Sequence, residues 1–281
     1  MIHIITDTTS GLPQDISERF HIPVIPQVIN FGNKSYIEGI DIDNPTFMRM
    51  LKASKELPKT AAPPPELFVQ EFNKLVPAGG TIFCIHPSVE LSGTVRSAFM
   101  AAQDFPNADI RIIDTRTVGS PLATLVQLAA EWAFNGDEAD VIETKIKNMI
   151  PRNRIYFLVD TLDYLAKGGR IGGATALLGS MLKIKPILAL QNGRVEQFDK
   201  ERTQKNAINR LIELVKSEAP RNTEAYISVM HAAVPDLAND FAKILCSEFG
   251  LNSIPILDVP PAIVAHGGPG ILGVAFFTDG T

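Results

Sequence analysis

The fold class is decided by residues 81–113, which read TIFCIHPSVELSGTVRSAFMAAQDFPNADIRII. Two apolar runs in this stretch, Thr81–Ile85 and Ile110–Ile113, predict buried strands. Residues from about Thr94 to Ala102 predict a helix between them. Because a helix that connects two buried strands is typical of a parallel sheet, this stretch predicts an α/β protein.

The rest of the chain repeats this alternation of short apolar runs and longer helical patterns. A polar patch after a charged helix, Pro151-Arg152-Asn153, predicts a domain boundary. Residues 1–153 and residues 154–281 would then form two α/β domains, both with mostly parallel sheets. The Asn-Gly pair in Gln191-Asn192-Gly193 predicts a hairpin. Other predicted elements include strands at Ile2–Thr6 and Val24–Phe31, a helix beginning at Leu12-Pro13 with Ser10 as its cap, and a helix through Leu177–Leu182.

The composition limits the function classes. The chain has 281 residues, of which 45% are hydrophobic and 20% charged, and its formal net charge is −5. It has no basic stripe that could displace counterions from phosphates, which argues against nucleic-acid binding. No apolar run is long enough to cross a bilayer, and the N-terminus runs into a strand without a basic leader, so we expect a cytoplasmic protein. Cys84 and Cys246 lack metal-ligand spacing, so we expect two buried thiols and no metal site.

Two glycine-containing loops combine short polar side chains with main-chain N–H groups that a ligand can approach closely. Ser92-Gly93-Thr94 opens a predicted helix, where free N–H groups and the helix dipole favour an anion. An ordinary serine cap is the alternative. In the loop from His266 to Gly270, the histidine can donate to a carboxylate, although a lone histidine is more often structural. Together the loops predict a receptor for one negative head group.

Three further segments are candidate ligand contacts. Thr60 precedes the stiff segment Ala61-Ala62-Pro63. Asp7 lies at the carboxyl end of the first predicted strand, where open α/β sheets place ligand-contacting loops. Arg170 follows two glycines and is predicted to be a mobile, exposed cation that meets a phosphate or a partner's carboxylate. Turn chemistry or a solvated loop is the alternative for each segment.

These segments, in this order, resemble the DegV family over essentially the whole chain. The resemblance rests on residues 6–10 (TDTTS), 59–60 (KT), 91–94 (LSGT), 162–171 (LDYLAKGGRI), 185–188 (KPIL) and 266–270 (HGGPG). It implies a bacterial, cytoplasmic, two-domain α/β protein that binds one long-chain fatty acid at the domain junction, without a further cofactor or metal. Some members are binding subunits of bacterial fatty acid kinase. They present the carboxylate to a separate ATP-dependent kinase, which makes the acyl phosphate.

The resemblance also implies roles for individual residues, none of them catalytic. One departure concerns Thr60-Ala61-Ala62-Pro63, where the family often has Thr-Ser-Gln-Pro; this change removes polar side chains near the head group. The implied roles are carboxylate binding by Thr60, Ser92 and His266, a surrounding cradle of Gly93, Thr94 and Gly267 with support from Asp7 and Ser10, and docking on the kinase through Arg170 and Arg202.

The acyl chain is expected to lie among apolar residues of the second domain, including the predicted helix through Leu177–Leu182. Two other functions remain open. A serine hydrolase would use Ser92 as nucleophile and His266 as base, but the chain lacks a Gly-x-Ser-x-Gly elbow and an evident third member. A lipid-responsive regulatory module would need no chemistry beyond binding.

Overall fold

The computed structural model describes residues 1–178 and 184–280 and has the predicted α/β fold. Within these residues, no helix is long and apolar enough to span a membrane. The strands are β1 (Ile2–Asp7), β2 (Val24–Ile25), β3 (Val28–Phe31), β4 (Lys34–Ile37), β5 (Lys59–Ala61), β6 (Thr81–His86), β7 (Asp109–Asp114), β8 (Asn153–Leu158), β9 (Lys185–Gln191), β10 (Arg194–Glu201), β11 (Ser228–His231), β12 (Ile256–Asp258) and β13 (Leu272–Phe277). The α-helices are α1 (Gln14–Arg19), α2 (Asn44–Ala53), α3 (Pro65–Leu75), α4 (Thr94–Ala102), α5 (Ser120–Phe134), α6 (Ala139–Met149), α7 (Asp163–Lys167), α8 (Gln204–Glu218), α9 (Pro235–Phe249) and α10 (Pro261–Gly267).

The first sheet is parallel, with the strand order β2-β1-β6-β7. This confirms the prediction from residues 81–113, because α4 connects β6 to β7. Successive side chains of a strand point to opposite faces. Ile82 and Cys84 pack with α3 and α4, whereas Phe83 and Ile85 pack with α5 and α6. Helices therefore cover both faces, which explains why β6 is a continuous apolar run.

The second sheet has the order β10-β9-β8-β13-β11-β12. It is mostly antiparallel, so the prediction of a mostly parallel sheet in the second domain is wrong. Strands buried on both faces are continuous apolar runs in either orientation, and periodicity cannot distinguish the two. The predicted hairpin between β9 and β10 is confirmed, with Asn192 and Gly193 at φ +52° and +82°.

The two faces of the second sheet have different neighbours. On β8, Tyr156 and Leu158 point toward the apolar cluster that includes α8 and α9. Ile155 and Phe157 point toward the opposite face, where the chain's first half contributes to the packing. This second face positions the candidate site described below.

A third, antiparallel sheet with the order β4-β3-β5 is not foreseen by any pattern in the sequence. The predicted single strand Val24–Phe31 is wrong, because Pro26 separates β2, in the first sheet, from β3, in the third. Proline has no N–H to donate to a sheet. The third sheet matters for function because β5 carries Thr60.

Two local predictions also need correction. Ser10 does not cap α1; its Oγ accepts the N–H of Leu12, and Pro13 is the residue before the helix. The predicted helix through Leu177–Leu182 is a 3₁₀ helix over Gly172–Leu177. Residues 179–183, including the rest of that prediction, lie outside the described residues.

The domain boundary between residues 153 and 154 stays a prediction. β8, the first strand of the second sheet along the chain, begins at Asn153. One apolar cluster nevertheless joins Ile29 and Phe47 with Leu165 and Val264, so packing continues across the proposed boundary.

Candidate functional site

A cavity lies where the loops after the first sheet's strands face the inner side of the second sheet. It encloses about 1010 Å³ of empty space, its open mouth included. Most of its wall is apolar, with Ile155, Phe157, Leu190, Val195, Met230 and Ile271 among the lining residues. Its polar side chains are Thr9, Gln27, Thr60, Ser92, Arg170 and His266. An apolar slot with a few polar groups is the usual form of a small-molecule site.

Thr60 and His266 meet in this cavity although they are 206 residues apart in sequence. The Thr60 Oγ1 atom lies 2.6 Å from the His266 Nε2 atom. β5 positions the threonine, and the last turn of α10 positions the histidine. The third sheet therefore brings a hydroxyl group to the glycine loop that follows α10.

Ser92 lies in the turn that opens α4, as the sequence predicts. Its Oγ atom is 2.8 Å from Thr94 Oγ1 and accepts the N–H of Thr94 at 3.3 Å. Gly93 precedes α4 and makes no side-chain cap, and a Cβ atom there would lie 3.3 Å from the Ala62 Cβ atom. The structure thus places Ser92, Gly93 and the segment after Thr60 around one part of the cavity.

The loop after α10 depends on close packing that only glycine permits. Gly267 lines the cavity. Gly268 has φ +79°, and a Cβ atom there would lie 2.5 Å from Tyr164 Cδ2. A side chain at Gly268 would therefore meet both a steric clash and an unfavourable backbone conformation.

His266 is held in its neutral form. Burial, and secondarily the positive charge of Arg170, lower the pKa of His266 to about 4. The Nδ1 side of the ring packs tightly on Gly168: a Cβ atom added to Gly168 would lie 2.4 Å from His266 Nδ1. At pH 7 the ring thus has a single N–H to donate.

This pKa shift predicts an acid-sensitive fold in the lipid-stripped protein. A histidine has a pKa near 6.5 in the unfolded chain and, here, about 4 in the folded chain. Between these values the unfolded state binds the additional proton, so the free energy of unfolding falls as the pH is lowered from about 6.5 to about 4. Between pH 7 and pH 4.5, the free energy of unfolding should therefore fall by roughly 2–3 kcal/mol less in His266→Gln than in the unchanged protein. Urea unfolding of both proteins at the two pH values measures it; equal pH dependence would contradict the shift.

Asp7 accepts four hydrogen bonds beside the cavity. Its Oδ1 atom accepts from Thr9 N–H (3.0 Å), Thr9 Oγ1 (2.6 Å) and Gln27 Nε2 (3.0 Å). Its Oδ2 atom accepts from His86 Nδ1 at 2.8 Å, and both side chains of this pair are fully buried. Ser10 donates to the main-chain carbonyl of Asp7. Asp7 and Ser10 therefore hold the loop after β1 rather than reaching the cavity themselves.

Two polar residues near the site carry no signal in the sequence. Gln27 is buried between Asp7 and Thr94, with Nε2 2.9 Å from Thr94 Oγ1. Glu38 is also buried, accepts the N–H of Ala262 at 2.8 Å, and accepts the Thr8 hydroxyl. Burial raises the pKa of Glu38 to about 7. Single Gln and Glu residues are common, so only their three-dimensional neighbours identify them.

A family model described as "Uncharacterised protein, DegV family" matches residues 1–279. The chain belongs to the DegV family. DegV domain-containing proteins of Streptomyces coelicolor and Clostridium perfringens are 37% and 34% identical to it. The first alignment covers 97% of both chains and the second 98% of both. The resemblance predicted from the loops is therefore confirmed.

Solved structures of DegV proteins share the fold. A DegV family protein of Thermus thermophilus, described by its fatty acid binding, has a TM-score of 0.91, 28% identity and 99% coverage of both chains. DegV of Bacillus subtilis, described as a fatty acid binding protein, has a TM-score of 0.87, 29% identity and 99% coverage of both chains. These neighbours confirm the α/β class.

The two arginines assigned to docking by the DegV resemblance occupy different environments. Arg170 is half-buried and lines the cavity, and its guanidinium donates to the carbonyls of Leu91 (3.1 Å) and Gly168 (2.7 Å). The prediction of a mobile, exposed cation is therefore wrong, because nearby carbonyl groups hold it. Arg202 is exposed just after β10 and does not line the cavity.

The two alanines that depart from the DegV pattern, Ala61 and Ala62, lie in different environments. Ala61 is exposed and pairs with Val28, so the missing polar side chain there would face away from the cavity. Ala62 lines the cavity beside Gly93. The change at position 62 therefore leaves an apolar wall next to the polar cluster.

The hydrolase alternative finds no support in the contacts of the described residues. The polar partners of Ser92 belong to Thr94, and His266 Nε2 contacts Thr60. No carboxylate contacts the His266 ring among these residues, so the third member of a triad is missing.

Proposed function

We propose that this protein binds one long-chain fatty acid, with its carboxylate at Thr60, Ser92 and His266 and its tail along the apolar wall. The observation that carries this proposal is a single cavity with a mostly apolar wall, which these three polar side chains line and in which Thr60 contacts His266. Relatives at 28% and 29% identity that cover the whole chain are described as fatty acid binding.

The energetics divide between tail and head group. Burying a dozen methylenes contributes about 10 kcal/mol at about 0.8 kcal/mol each, before the cost of ordering the chain. Moving a carboxylate out of water costs several kcal/mol unless donors meet it. Charge-assisted hydrogen bonds of about 1.5–3 kcal/mol each offset that cost. The tail thus supplies affinity, and the polar cluster sets the position of the carboxylate.

The Thr60–His266 contact can supply one such donor. If the neutral ring donates its Nε2 proton to Thr60 Oγ1, the threonine hydroxyl is free to donate to the carboxylate. If the Thr60 hydroxyl instead donates to His266 Nε2, neither group has a proton left to donate to the ligand. A bound carboxylate therefore selects the first arrangement, and its negative charge also favours the protonated ring.

The direct test is mass spectrometry of an organic extract of the purified protein, followed by oleate titration of the lipid-stripped protein. We expect about one fatty acid per chain in the extract, and saturable oleate binding. An empty protein that binds no oleate, or one that hydrolyses esters and loses this activity in Ser92→Ala, would overturn the proposal.

The apolar wall predicts how chain length is limited. Gly273 lines the cavity, and a Cβ atom there would make ordinary contacts with Phe157 Cβ (3.4 Å) and Met230 Cε (3.6 Å). Gly273→Val should fill space that a long tail occupies, so the stearate-to-myristate affinity ratio should fall about 10-fold, equivalent to the burial of about two methylenes. Gly273→Ala should give a smaller fall. An equal loss for both acids would contradict this limit.

We also propose that the protein presents the bound acid to a separate ATP-dependent kinase, which phosphorylates the carboxylate. The exposed Arg202 supports this role, because exposed charges mainly steer association with a partner of opposite charge. Arg170 would act nearer the head group. A lipid-responsive regulatory module stays an alternative if no kinase accepts the loaded protein.

Arg202→Glu should slow acyl-phosphate formation by the cognate kinase roughly 5-fold at subsaturating protein, since a rim charge chiefly changes the association rate. Oleate affinity should stay within about two-fold, because Arg202 lies outside the cavity. Lys243→Glu is the matched control. Lys243 is exposed on α9, which packs on the face of the second sheet opposite the cavity. Equal rates for all three proteins would remove Arg202 from docking.

A further inference from the structure

A chain of hydrogen bonds connects the buried carboxylate of Asp7 to the cavity. It runs from Asp7 Oδ1 to Gln27 Nε2 (3.0 Å), from Gln27 Nε2 to Thr94 Oγ1 (2.9 Å) and from Thr94 Oγ1 to Ser92 Oγ (2.8 Å). Gln27 and Thr94 are buried, and Gln27 and Ser92 both line the cavity. The chain joins loops after β1, β2 and β6 that are far apart in sequence.

The chemistry of its members gives this chain a direction. A carboxylate only accepts, so the amide group of Gln27 must turn its NH₂, not its oxygen, toward Asp7. The same nitrogen contacts Thr94 Oγ1, which must therefore accept from Gln27. The Thr94 hydroxyl proton is then available for Ser92 Oγ, its nearest hydroxyl partner.

Ser92 is the last member and receives hydrogen bonds from inside the protein. With the Thr94 proton placed in this way, the Ser92 Oγ atom accepts from the Thr94 hydroxyl as well as from the Thr94 N–H. Both lone pairs are thereby engaged, and the one group left to Ser92 is its own O–H. Because Ser92 lines the cavity, this proton is the one that a ligand meets.

We propose that Gln27 is a positioning residue that makes Ser92 an obligate hydrogen-bond donor and so selects an ionised carboxylate over a neutral head group. This inference rests on the proposed fatty acid function and deepens it. An ionised carboxylate is the strongest acceptor among lipid head groups of this size, whereas an alcohol offers a neutral oxygen. Gln27 acts through Thr94 and Ser92, not by reaction with the ligand.

Gln27→Glu tests the direction of the chain, because the new carboxyl group has the same length, shares a proton with Asp7 Oδ1 and accepts from Thr94. Thr94 would then accept from Ser92, and the Ser92 proton would turn away from the cavity. We expect the oleate affinity at pH 8 to fall about 10-fold or more, and the affinity for oleyl alcohol to change less than about two-fold. Gln27→Met, which only removes the hydrogen bonds, should give a smaller loss of the same selectivity and covers the case that Gln27→Glu does not fold.

A double-mutant cycle distinguishes positioning from a structural role. In the Ser92→Ala background, Gln27→Glu and Gln27→Met should cause no further loss of oleate affinity, because the donor on which they act is absent. Additive losses of oleate affinity, or equal losses of affinity for oleate and oleyl alcohol, would overturn the inference. The proposed function would still stand as long as the wild-type protein binds oleate. Wild-type protein that binds neither ligand would overturn the proposed function and the inference with it.

Discussion

Replacing His266 with alanine is expected to lower oleate affinity about 10- to 100-fold, the equivalent of one charge-assisted hydrogen bond of about 1.5–3 kcal/mol. The ring contacts Thr60 at 2.6 Å, and a ring that donates its Nε2 proton to Thr60 Oγ1 leaves the threonine hydroxyl free to donate to the carboxylate. Without the ring, the Thr60 hydroxyl is no longer oriented, and the carboxylate of the fatty acid meets a gap in place of a donor. Titration of lipid-stripped protein with oleate at pH 7.5 measures the loss.

The matched control uses an exposed histidine outside the cavity. His21 has φ +52°, a left-handed conformation that asparagine tolerates, so His21→Asn should leave oleate affinity unchanged. Ser92→Ala should cause a loss similar to that of His266→Ala. Unchanged affinity in both cavity variants would show that the carboxylate binds elsewhere.

Replacing Asp7 with alanine is expected to lower the free energy of unfolding by about 3–5 kcal/mol, because each buried donor left without an acceptor costs about 1–3 kcal/mol. Thr9, Gln27 and His86 all donate to this carboxylate, and each of these buried residues would lose its acceptor. Urea unfolding of lipid-stripped protein at pH 7 provides the measurement.

Two variants bracket this effect. Asp7→Asn keeps one acceptor oxygen for Thr9 and Gln27, so its loss should be about 1–2 kcal/mol, the cost of one imperfect buried hydrogen bond. Asp15→Ala removes an exposed carboxylate from α1 and should change stability by less than about 0.5 kcal/mol. If Asp7→Ala changed the free energy of unfolding as little as Asp15→Ala, the buried carboxylate would not be needed for stability.

Local patterns were sufficient for β6 and α4 of the first sheet and for the hairpin of the second. The apolar run at Thr81–Ile85 and the helix at Thr94–Ala102 lie where the sequence predicts them, because burial on two faces and helical periodicity act over a few residues. The Asn192-Gly193 hairpin is predictable for the same reason, since both residues tolerate positive φ.

Patterns failed where pairing depends on distant strands. The apolar runs of the second sheet predict strands but not their direction, and β13 inserts antiparallel between β8 and β11. Pro26 divides one predicted strand between two sheets. Arg170 follows two glycines, which favours mobility, yet the carbonyl of Leu91 from a distant loop holds it.

The candidate site divides in the same way. Ser92, Thr60 and His266 stand out in the sequence because of their loops and the DegV resemblance. Gln27 and Glu38 do not stand out, because a buried amide or carboxylate is recognisable only by its donors and acceptors. The sequence thus identifies the polar residues of the loops, whereas the buried polar residues that contact those loops are identified only by the fold.

By itself the sequence determined the α/β class, the family and the loops that carry the polar groups, because periodicity, turn chemistry and motif order are properties of neighbouring residues. Only the tertiary structure decided that Thr60 meets His266 across 206 positions and that Gln27 meets Thr94 across 67. It also decided the lowered pKa of His266, which arises from burial and from Arg170. Such contacts and charge effects depend on packing between distant segments, and no local pattern encodes them.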